Sequence, residues 1–398
     1  MKRGRAAMVP LAAFATMGLF WGAWAALLPD VKERIGASDA EFGAALLWVG
    51  VGAPPAMLAA GRLARRLGSR LLSPTLLGFG LAVLPAGFAG SFVSLAVAMV
   101  VVGAASGALD VAMNAEVSDL EAADGERLMF GAHALFSLGL VGASVVTGIL
   151  RDSGVGPEGV LPGITALSLV VAAVSLGAPR PTAQPASGVS SDQAGPGSMG
   201  GLRRWALVLG VLCAGSFLIE DALQSWSALH LERTLGATPA VGALGPGAFG
   251  AAMFVGRSLG QLIERWVSDR VLLGLAGGVA ALGLLGAAVA PSVPIAIASF
   301  ALAGAAISLV APTLFSLAGR RAGPGGRASA ISTVTFIGYL GFLVGPGAFG
   351  VVAGATSLPG AFAVLAAVAI VLGLCGMLIL GRQEAGLRRA GAPLRCGS

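Results

Sequence analysis

The feature that most constrains this chain is a series of twelve apolar runs separated by short polar segments. A transmembrane helix needs about 20 apolar residues, and a helix satisfies its backbone hydrogen bonds within one segment, as lipid requires. The pattern therefore predicts an all-α membrane protein with twelve transmembrane helices. These predicted spans cover residues 8–28, 42–61, 71–89, 92–116, 129–150, 159–178, 204–229, 240–262, 271–289, 292–318, 329–353 and 359–381.

The composition supports a chain that is embedded in a lipid bilayer. Hydrophobic residues make up 56% of the 398 positions and charged residues only 11%. Soluble globular proteins are about 25% charged, so this chain lacks the polar residues to cover a water-facing exterior. The net charge is +6, but the basic residues are spread over short loops and do not form one face, so we expect no nucleic-acid partner.

The distribution of Lys and Arg predicts the orientation in the membrane. Cytoplasmic loops carry an excess of these residues, and a cytoplasmic N-terminus places nearly all of them inside. Both termini are therefore predicted to be cytoplasmic, in a multi-pass protein of the bacterial-type cytoplasmic (inner) membrane. The run at 8–28 is too long for a signal peptide and is predicted to be a retained first helix. Only four of the 25 basic residues then lie outside: Lys32, Arg34, Arg151 and Arg233.

A stretch rich in Pro, Ser and Gly divides the chain near its middle and is typical of a flexible linker. The predicted parts are an N-terminal six-helix bundle at 1–178, a cytoplasmic linker at 179–203, a C-terminal six-helix bundle at 204–381 and a cytoplasmic tail at 382–398.

The two halves repeat short sequences. Residues 33–38 recur at 232–238 with one insertion, and Gly-Ala-Ala at 103–105 recurs at 304–306. Parallel repeats of this kind are found in secondary transporters. A hexapeptide, Gly-Pro-Gly-Ala-Phe-Gly, begins at both Gly245 and Gly345, near the predicted outer ends of spans 8 and 11. Small residues let helices approach closely, so this predicts either a moving contact or static close packing.

The loop between spans 2 and 3 carries a pattern of glycine and arginine. It resembles the major facilitator superfamily, whose motif here is Gly, an Asp four residues on, a basic residue, Gly and further basic residues. Arg65 replaces the Asp, whereas the second half has Glu264 four residues after Gly260. The resemblance implies a twelve-helix fold and a charged cytoplasmic latch. The latch residues are Gly61, Arg62, Arg66, Gly68, Arg70, Glu264 and Arg265.

Two further segments narrow the resemblance. Residues 109–115 place an Asp and an Asn in span 4, and residues 131–139 follow in span 5. Together they resemble the branch of the superfamily related to bacterial fucose permease, which has an acidic residue and an Asn at this spacing. The resemblance implies proton-coupled sugar symport.

Ionisable residues within the spans are candidates for proton coupling because each costs about 2.5–3.5 kcal/mol to insert and normally faces a cavity or a partner. Asp110 and His133 lie at similar depth and can form a pair, which is either functional or purely structural. Glu220 and Asp221 point about 100° apart, so one is expected to face solute or a proton path and the other a neighbouring helix. Arg257 is expected to reach the cytoplasmic surface.

Aromatic and amide side chains on spans 1, 4, 7 and 11 are candidates for solute contacts. Aromatic faces stack on sugars, and amides bind hydroxyl groups. An interfacial aromatic belt is the alternative interpretation for Trp24 and for Trp226. The predicted solute-binding residues are Trp21, Trp24, Asn114, Gln224 and Tyr339.

These observations favour a secondary transporter with no catalytic residues. The first hypothesis is proton-coupled uptake of a sugar or polyol by alternating access, with the solute, protons and lipid as partners and no required oligomer. Alternatives are a proton-antiport exporter, which commonly has a Gly-Pro motif in span 5 that is absent at 139–143, and a non-transporting sensor or scaffold. The sequence has no phosphate-binding loop, no serine-hydrolase motif and no Cys/His cluster, so we predict no enzyme activity, no cofactor and no metal.

Overall fold

The structure is a computed structural model that describes the backbone of residues 2–124, 128–177, 199–263 and 266–389. Within these described ranges, three short turns connect or extend the α-helices: 3-10 turns at Gly68–Leu71 and Leu84–Phe88, and a π-helical turn at His230–Thr234. The α-helices are α1 (Lys2–Ile35), α2 (Asp39–Leu67), α3 (Leu72–Val83), α4 (Phe92–Asp124), α5 (Met129–Asp152), α6 (Pro157–Gly177), α7 (Met199–Leu229), α8 (Pro239–Gly242), α9 (Leu244–Ile263), α10 (Asp269–Ala288), α11 (Val293–Ile307), α12 (Val310–Ala355) and α13 (Leu358–Arg389).

Twelve helical segments in the described residues are long and apolar enough to cross a membrane. Each overlaps one predicted span, so the predicted class of an all-α protein with twelve transmembrane helices is confirmed. Spans 1 to 12 are Ala7–Ile35, Asp39–Ala64, Gly68–Phe88, Phe92–Glu121, Gly131–Asp152, Pro157–Gly177, Arg204–Thr234, Pro239–Gly260, Asp269–Ala288, Val293–Ala322, Ala330–Ala355 and Leu358–Gly381.

Several helices extend beyond the apolar runs that predicted them. α7 begins at Met199, inside the predicted linker, and α13 continues to Arg389, inside the predicted tail. The acidic stretch after residue 116, which lies between predicted spans 4 and 5, continues α4 as far as Asp124. Helical hydrogen bonds do not require apolar side chains, and Glu, Gln, Arg and Ala are good helix formers. Hydropathy therefore marks only the part of a helix at membrane depth.

Helical structure also continues where a loop was expected between spans 10 and 11. α12 runs through residues 319–328 without a change of assignment, although that segment is rich in Gly and carries charged residues. The break in this region lies earlier, between Ile307 and Val310, within span 10. Span 10 is therefore built from two consecutive helices.

The sequence echo at 33–38 and 232–238 corresponds to the same local structure. Gly36 and Gly236 have φ values of +62° and +67°, a left-handed conformation that favours glycine. Ser38 then caps α2 in a capping box with Glu41, and Thr238 takes the N-cap position of α8 with φ −68° and ψ 160°. Each copy ends a helix with glycine and starts the next with a hydroxyl residue.

The described residues form two compact units. Unit 1 comprises the described parts of Met1–Val189, Ser225–Gly247 and Pro346–Gly354. Unit 2 comprises those of Ser190–Gln224, Ala248–Gly345 and Ala355–Ser398. The segments 225–247 and 346–354, which are parts of spans 7, 8 and 11, thus belong to the same unit as the first six spans.

Helix pairing is repeated within each unit. In unit 1, α3 packs on α4 and α6, and in unit 2, α10 packs on α11 and α13. The Gly-Ala-Ala echo lies at corresponding close approaches of two helices. A methyl group on Gly103 would overlap the Val49 carbonyl oxygen of span 2, and one on Gly304 would lie 2.8 Å from the Phe249 carbonyl oxygen of span 8. The glycines are needed because larger residues would force these helices apart.

Candidate functional site

Asp110 lies on span 4 with its side chain half-buried in unit 1. Asn114, one helical turn further on, donates its amide Nδ2 to Asp110 Oδ1 at 3.1 Å and to the Asp110 carbonyl oxygen at 2.8 Å. Within the part of the chain that the structure describes, the Asp110 carboxylate has no ion pair. Two predicted site residues are therefore in direct contact, and among described residues the carboxylate has a neutral donor and no cation.

His133 lies at the beginning of span 5 and is exposed. Its ring meets the ring of Phe14 edge-on, with 5.0 Å between the centroids. The pairing of His133 with Asp110, and the role of either residue in proton transfer, stay predictions.

Span 1 contributes a group of aromatic rings in unit 1. The ring of Phe20 meets Trp21 edge-on at 5.0 Å, stacks on Trp24 at 6.1 Å and meets Phe79 edge-on at 5.4 Å. Trp24 is only 4% exposed, so it belongs to the packed interior and not to an interfacial belt. Trp21 is half-buried, and its predicted contact with solute stays a prediction.

The two adjacent acids of span 7 have different surroundings in unit 2. Glu220 accepts hydrogen bonds from Arg257 Nη2 on span 8, at 3.1 Å to Oε1 and 3.3 Å to Oε2. Arg257, which we expected to reach the surface, is thus directed to this carboxylate. Asp221 lies beside span 11, where a methyl group on Gly345 would be 3.4 Å from Asp221 Oδ2. Among described residues, the Asp221 side chain has neither a hydrogen bond nor an ion pair.

The remaining predicted solute contacts are dispersed. Gln224 is half-buried, and Tyr339 is 42% exposed, with the rings of Phe217 and Phe342 at 5.9 and 5.8 Å. The interfacial interpretation of Trp226 is wrong, because this residue is 0% exposed. Its ring lies between Phe42 and Phe349 in unit 1, at centroid distances of 5.8 and 5.1 Å.

The predicted latch begins at the C-terminal end of span 2. Gly68 has φ +54° and donates its N–H to the Ala64 carbonyl oxygen, which explains why a glycine occurs at this helix end. The arginines Arg62, Arg66 and Arg70 are exposed, and a methyl group on Gly61 would contact nothing within 4 Å. Glu264 and Arg265 lie outside the described residues. The latch function stays a prediction.

A buried ionic cluster in unit 1 was missed by the sequence analysis. The Arg151 side chain, 2% exposed, contacts Asp30 of span 1 and Glu232 of span 7. Arg151 Nε and Nη2 donate to Asp30 at 2.8 and 2.5 Å, and Nη1 and Nη2 donate to Glu232 at 2.7 and 3.0 Å. The sequence did contain a signal for this cluster. All three residues fall at predicted outer ends of spans, and Arg151 is one of only four basic residues predicted on that side.

Both copies of the repeated hexapeptide contain closely packed glycines, and a methyl group on Gly245 would lie 3.0 Å from the Ser227 carbonyl carbon. In unit 1, a methyl group on Gly350 would lie 2.5 Å from the Asp39 carbonyl oxygen and 2.9 Å from the Gly43 Cα of span 2. A methyl group on Gly247 would lie 3.8 Å from its nearest neighbour, Ser144 Oγ, which is ordinary contact. The Gly350 contact therefore joins spans 2 and 11, and whether it moves stays a prediction.

Gly350→Ala is expected to slow transport about tenfold, because overpacking a backbone contact costs about 1–3 kcal/mol and, in the predicted rocking motion, the contact reforms in every cycle. Gly247→Ala is the matched control and should transport at the wild-type rate, since it has room for the methyl group. Transport rates normalised to folded protein provide the measurement. Equal rates for the two variants would show that the contact between spans 2 and 11 does not limit transport.

The site residues do not form a metal centre within the described ranges. No group of three or more His, Cys, Asp or Glu side chains there has a metal-binding arrangement. The arrangement is one of dispersed carboxylates, amides and aromatic rings on membrane-spanning helices. The described helices therefore define a multi-pass membrane protein with polar side chains within its spans.

The family model of the Major Facilitator Superfamily matches residues 10–346 and 259–393. The chain therefore belongs to the major facilitator superfamily of membrane transporters. It is 34% identical over 361 residues to an uncharacterized MFS-type transporter of Yersinia pestis, covering 89% of this chain and 90% of that protein.

Solved structures show the same fold at low sequence identity. A mutant of the nucleoside transporter NupG has a TM-score of 0.79 and 14% identity, covering 94% of this chain and 99% of that chain. The fucose:proton symporter FucP of E. coli has a TM-score of 0.55 and 18% identity, covering 94% and 99%. The predicted resemblance to the major facilitator superfamily is thus confirmed by the family model and the relative, and FucP shares the fold.

Proposed function

We propose that this protein takes up a small polar solute, a sugar or a polyol, together with protons by alternating access. Membership of a transporter superfamily makes it a transporter; the direction, the coupling ion and the solute class are the proposal. The observation that carries it is the Asp110 carboxylate, which lies in span 4 with a hydrogen bond from a neutral amide and without a cation among described residues.

The proposed coupling follows from the cost of moving a charge through a dry state. A carboxylate without a cation is costly away from water, and a bound proton removes that cost. Protonated Asp110 therefore permits the loaded carrier to reorient, whereas the bare carboxylate opposes closure. Asn114 can serve both forms, because its amide donates to a carboxylate and can accept from a carboxylic acid. His133, Glu220 and Asp221 are the other candidates for the proton path.

The proposed solute site combines flat apolar surfaces with hydrogen-bonding groups. The aromatic rings are those of Trp21, Trp24 and Tyr339, and the amides are those of Asn114 and Gln224. Trp24 contributes from the packed interior, because its ring stacks on Phe20, which in turn contacts Trp21. The two similar structures named above are a nucleoside transporter and a fucose symporter, and both of those solutes carry sugar hydroxyls. This supports a test panel of sugars, polyols and nucleosides.

The proposed cycle rocks the bundles at 1–178 and 204–381 against each other, with the predicted latch acting on the cytoplasmic side. Purified protein in proteoliposomes that contain a pH-sensitive dye provides the test. Addition of a transported solute should drive protons inward with it. Proton movement opposite to the solute would identify an antiporter, and solute binding with neither flux would indicate a sensor or scaffold.

We expect both termini to face the cytoplasm of a bacterial inner membrane. Single cysteines placed in the linker 179–203 or the tail 382–398 of a cysteine-free variant should resist an impermeant thiol reagent on intact cells and react after lysis. Residue 153 in the span 5–6 connection is the matched control and should react on intact cells. Rapid labelling of the linker and the tail on intact cells would show that the orientation is opposite to the predicted one.

A further inference from the structure

The Asp30–Arg151–Glu232 cluster joins three spans at one end of unit 1. Asp30 is near the end of span 1, Arg151 near the end of span 5 and Glu232 in the π-helical turn of span 7. The Arg151 side chain is only 2% exposed, so its buried positive charge is compensated by these two carboxylates and not by water. A buried guanidinium without a partner would be strongly destabilising.

The two carboxylates differ in the part of the chain from which they come. Asp30 and Arg151 belong to the first six spans, whereas Glu232 belongs to the last six. The contact with Glu232 is therefore the part of this cluster that connects the two halves. Asp30 accepts hydrogen bonds from Arg151 Nε at 2.8 Å and from Arg151 Nη2 at 2.5 Å. The guanidinium is therefore held in place without Glu232.

Other contacts between spans of the two halves lie near the cluster in unit 1. Ser144 of span 5, 0% exposed, donates its hydroxyl to the Ala243 carbonyl oxygen of span 8 at 2.7 Å. A methyl group on Gly148 would meet the Ala243 Cβ at 2.5 Å. Spans 5 and 8 are thus closely packed next to Arg151. The two spans have to separate if this end of the protein opens.

We infer that Arg151 and Glu232 form a releasable lock at this end of the protein, with Asp30 as a positioning residue that keeps Arg151 in place. On opening, Arg151 exchanges Glu232 for water and retains Asp30. The cation is then never without a carboxylate, so the barrier to opening stays low enough for repeated cycles. The inference rests on the proposed alternating access.

The neighbouring charged groups have other contacts or are exposed. Lys32 of span 1 pairs with Asp39 of span 2 at 2.8 Å, and Asp152 of span 5 accepts a hydrogen bond from Thr238 at 3.3 Å. Arg233 is exposed beside Glu232 and is available to it when the lock opens. Glu232 is therefore not left without a cation in the open state.

A cysteine at Ser144 provides the probe. In a variant with Cys213, Cys375 and Cys396 replaced by serine, Ser144→Cys is buried while spans 5 and 8 are packed, so a bulky hydrophilic maleimide reacts only after opening. We expect Glu232→Gln in detergent to raise the labelling rate about tenfold, a typical coupling between two conformational states. Asp30→Asn should lower the melting temperature more than Glu232→Gln does.

Arg34→Gln is the matched control, because Arg34 pairs with Glu158 on span 6 and both belong to the first half. It should leave the labelling rate unchanged. An unchanged rate in folded Glu232→Gln, or an equal increase in Arg34→Gln, would overturn the lock. If Glu232→Gln does not fold, Glu232→Asp provides the same comparison.

The labelling experiment uses neither a proton gradient nor a solute. Failure of proton-driven transport in proteoliposomes with an increased labelling rate in Glu232→Gln would therefore reject the coupling proposal and keep the lock. Normal proton-driven transport with no difference in labelling rate would reject the lock and keep the coupling proposal.

Discussion

Asp110→Asn is expected to abolish accumulation of solute against its gradient while leaving solute binding and solute exchange intact. Asparagine has the shape of a protonated carboxylic acid and cannot release a proton, so the variant resembles the loaded carrier permanently. The ratio of internal to external solute in energised vesicles should fall to about one, because downhill movement continues and proton-driven movement does not.

Asp119→Asn is the matched control for this result. It makes the same chemical change on the same helix, at an exposed position nine residues further on. The control should accumulate solute at the wild-type level. Wild-type accumulation by a folded Asp110→Asn variant would reject Asp110 as the coupling residue. Asp221, which among described residues has no ion pair, would then become the first candidate to test.

Gly341→Leu is expected to eliminate most of the folded protein. In unit 2, even a methyl group on Gly341 would overlap the carbonyl oxygen of Ala214, so spans 7 and 11 can approach only where this residue has no side chain. Because the obstacle is backbone, a change of rotamer cannot relieve it. Overpacking typically costs about 1–3 kcal/mol, and a clash with backbone is at the upper end or beyond. Proteins are stable by only about 5–15 kcal/mol.

Gly278→Leu is the matched control, since Gly278 is exposed in span 9 and a methyl group there would contact nothing within 4 Å. Both variants introduce the same side chain into an apolar span. The yield of monodisperse protein after detergent extraction, together with its melting temperature, provides the measurement. Equal yields and melting temperatures would mean that spans 7 and 11 can separate without loss of the fold.

The apolar runs were sufficient to predict the spans because the length and hydrophobicity of a membrane-crossing helix are local properties. The repeats also carried local information. Gly36 and Gly236 have the same left-handed conformation, and Ser38 and Thr238 follow as N-cap residues. Helix ends beyond the membrane, such as Arg389 at the end of α13, had no hydropathy signal and were placed only by the structure.

In the candidate site, too, contacts between residues close in sequence could be predicted and contacts between distant residues could not. Asp110 and Asn114 are one helical turn apart, so their contact could be anticipated from spacing alone. Residues far apart in the chain had no such rule. Arg151 meets partners 121 and 81 positions away, and Glu220 differs from Asp221 only because Arg257 of another span reaches it.

The amino-acid sequence by itself determined the class of this protein, its twelve spans, its internal repeat and the ionisable residues within the membrane, because each depends on composition or on short spacing. Only the tertiary structure decided which carboxylate binds which cation, that Trp226 is wholly buried, and which glycines of the hexapeptide copies lie closely against a neighbouring helix. Hydropathy places residues along the membrane normal, whereas these contacts depend on how each helix is rotated and which helices are its neighbours.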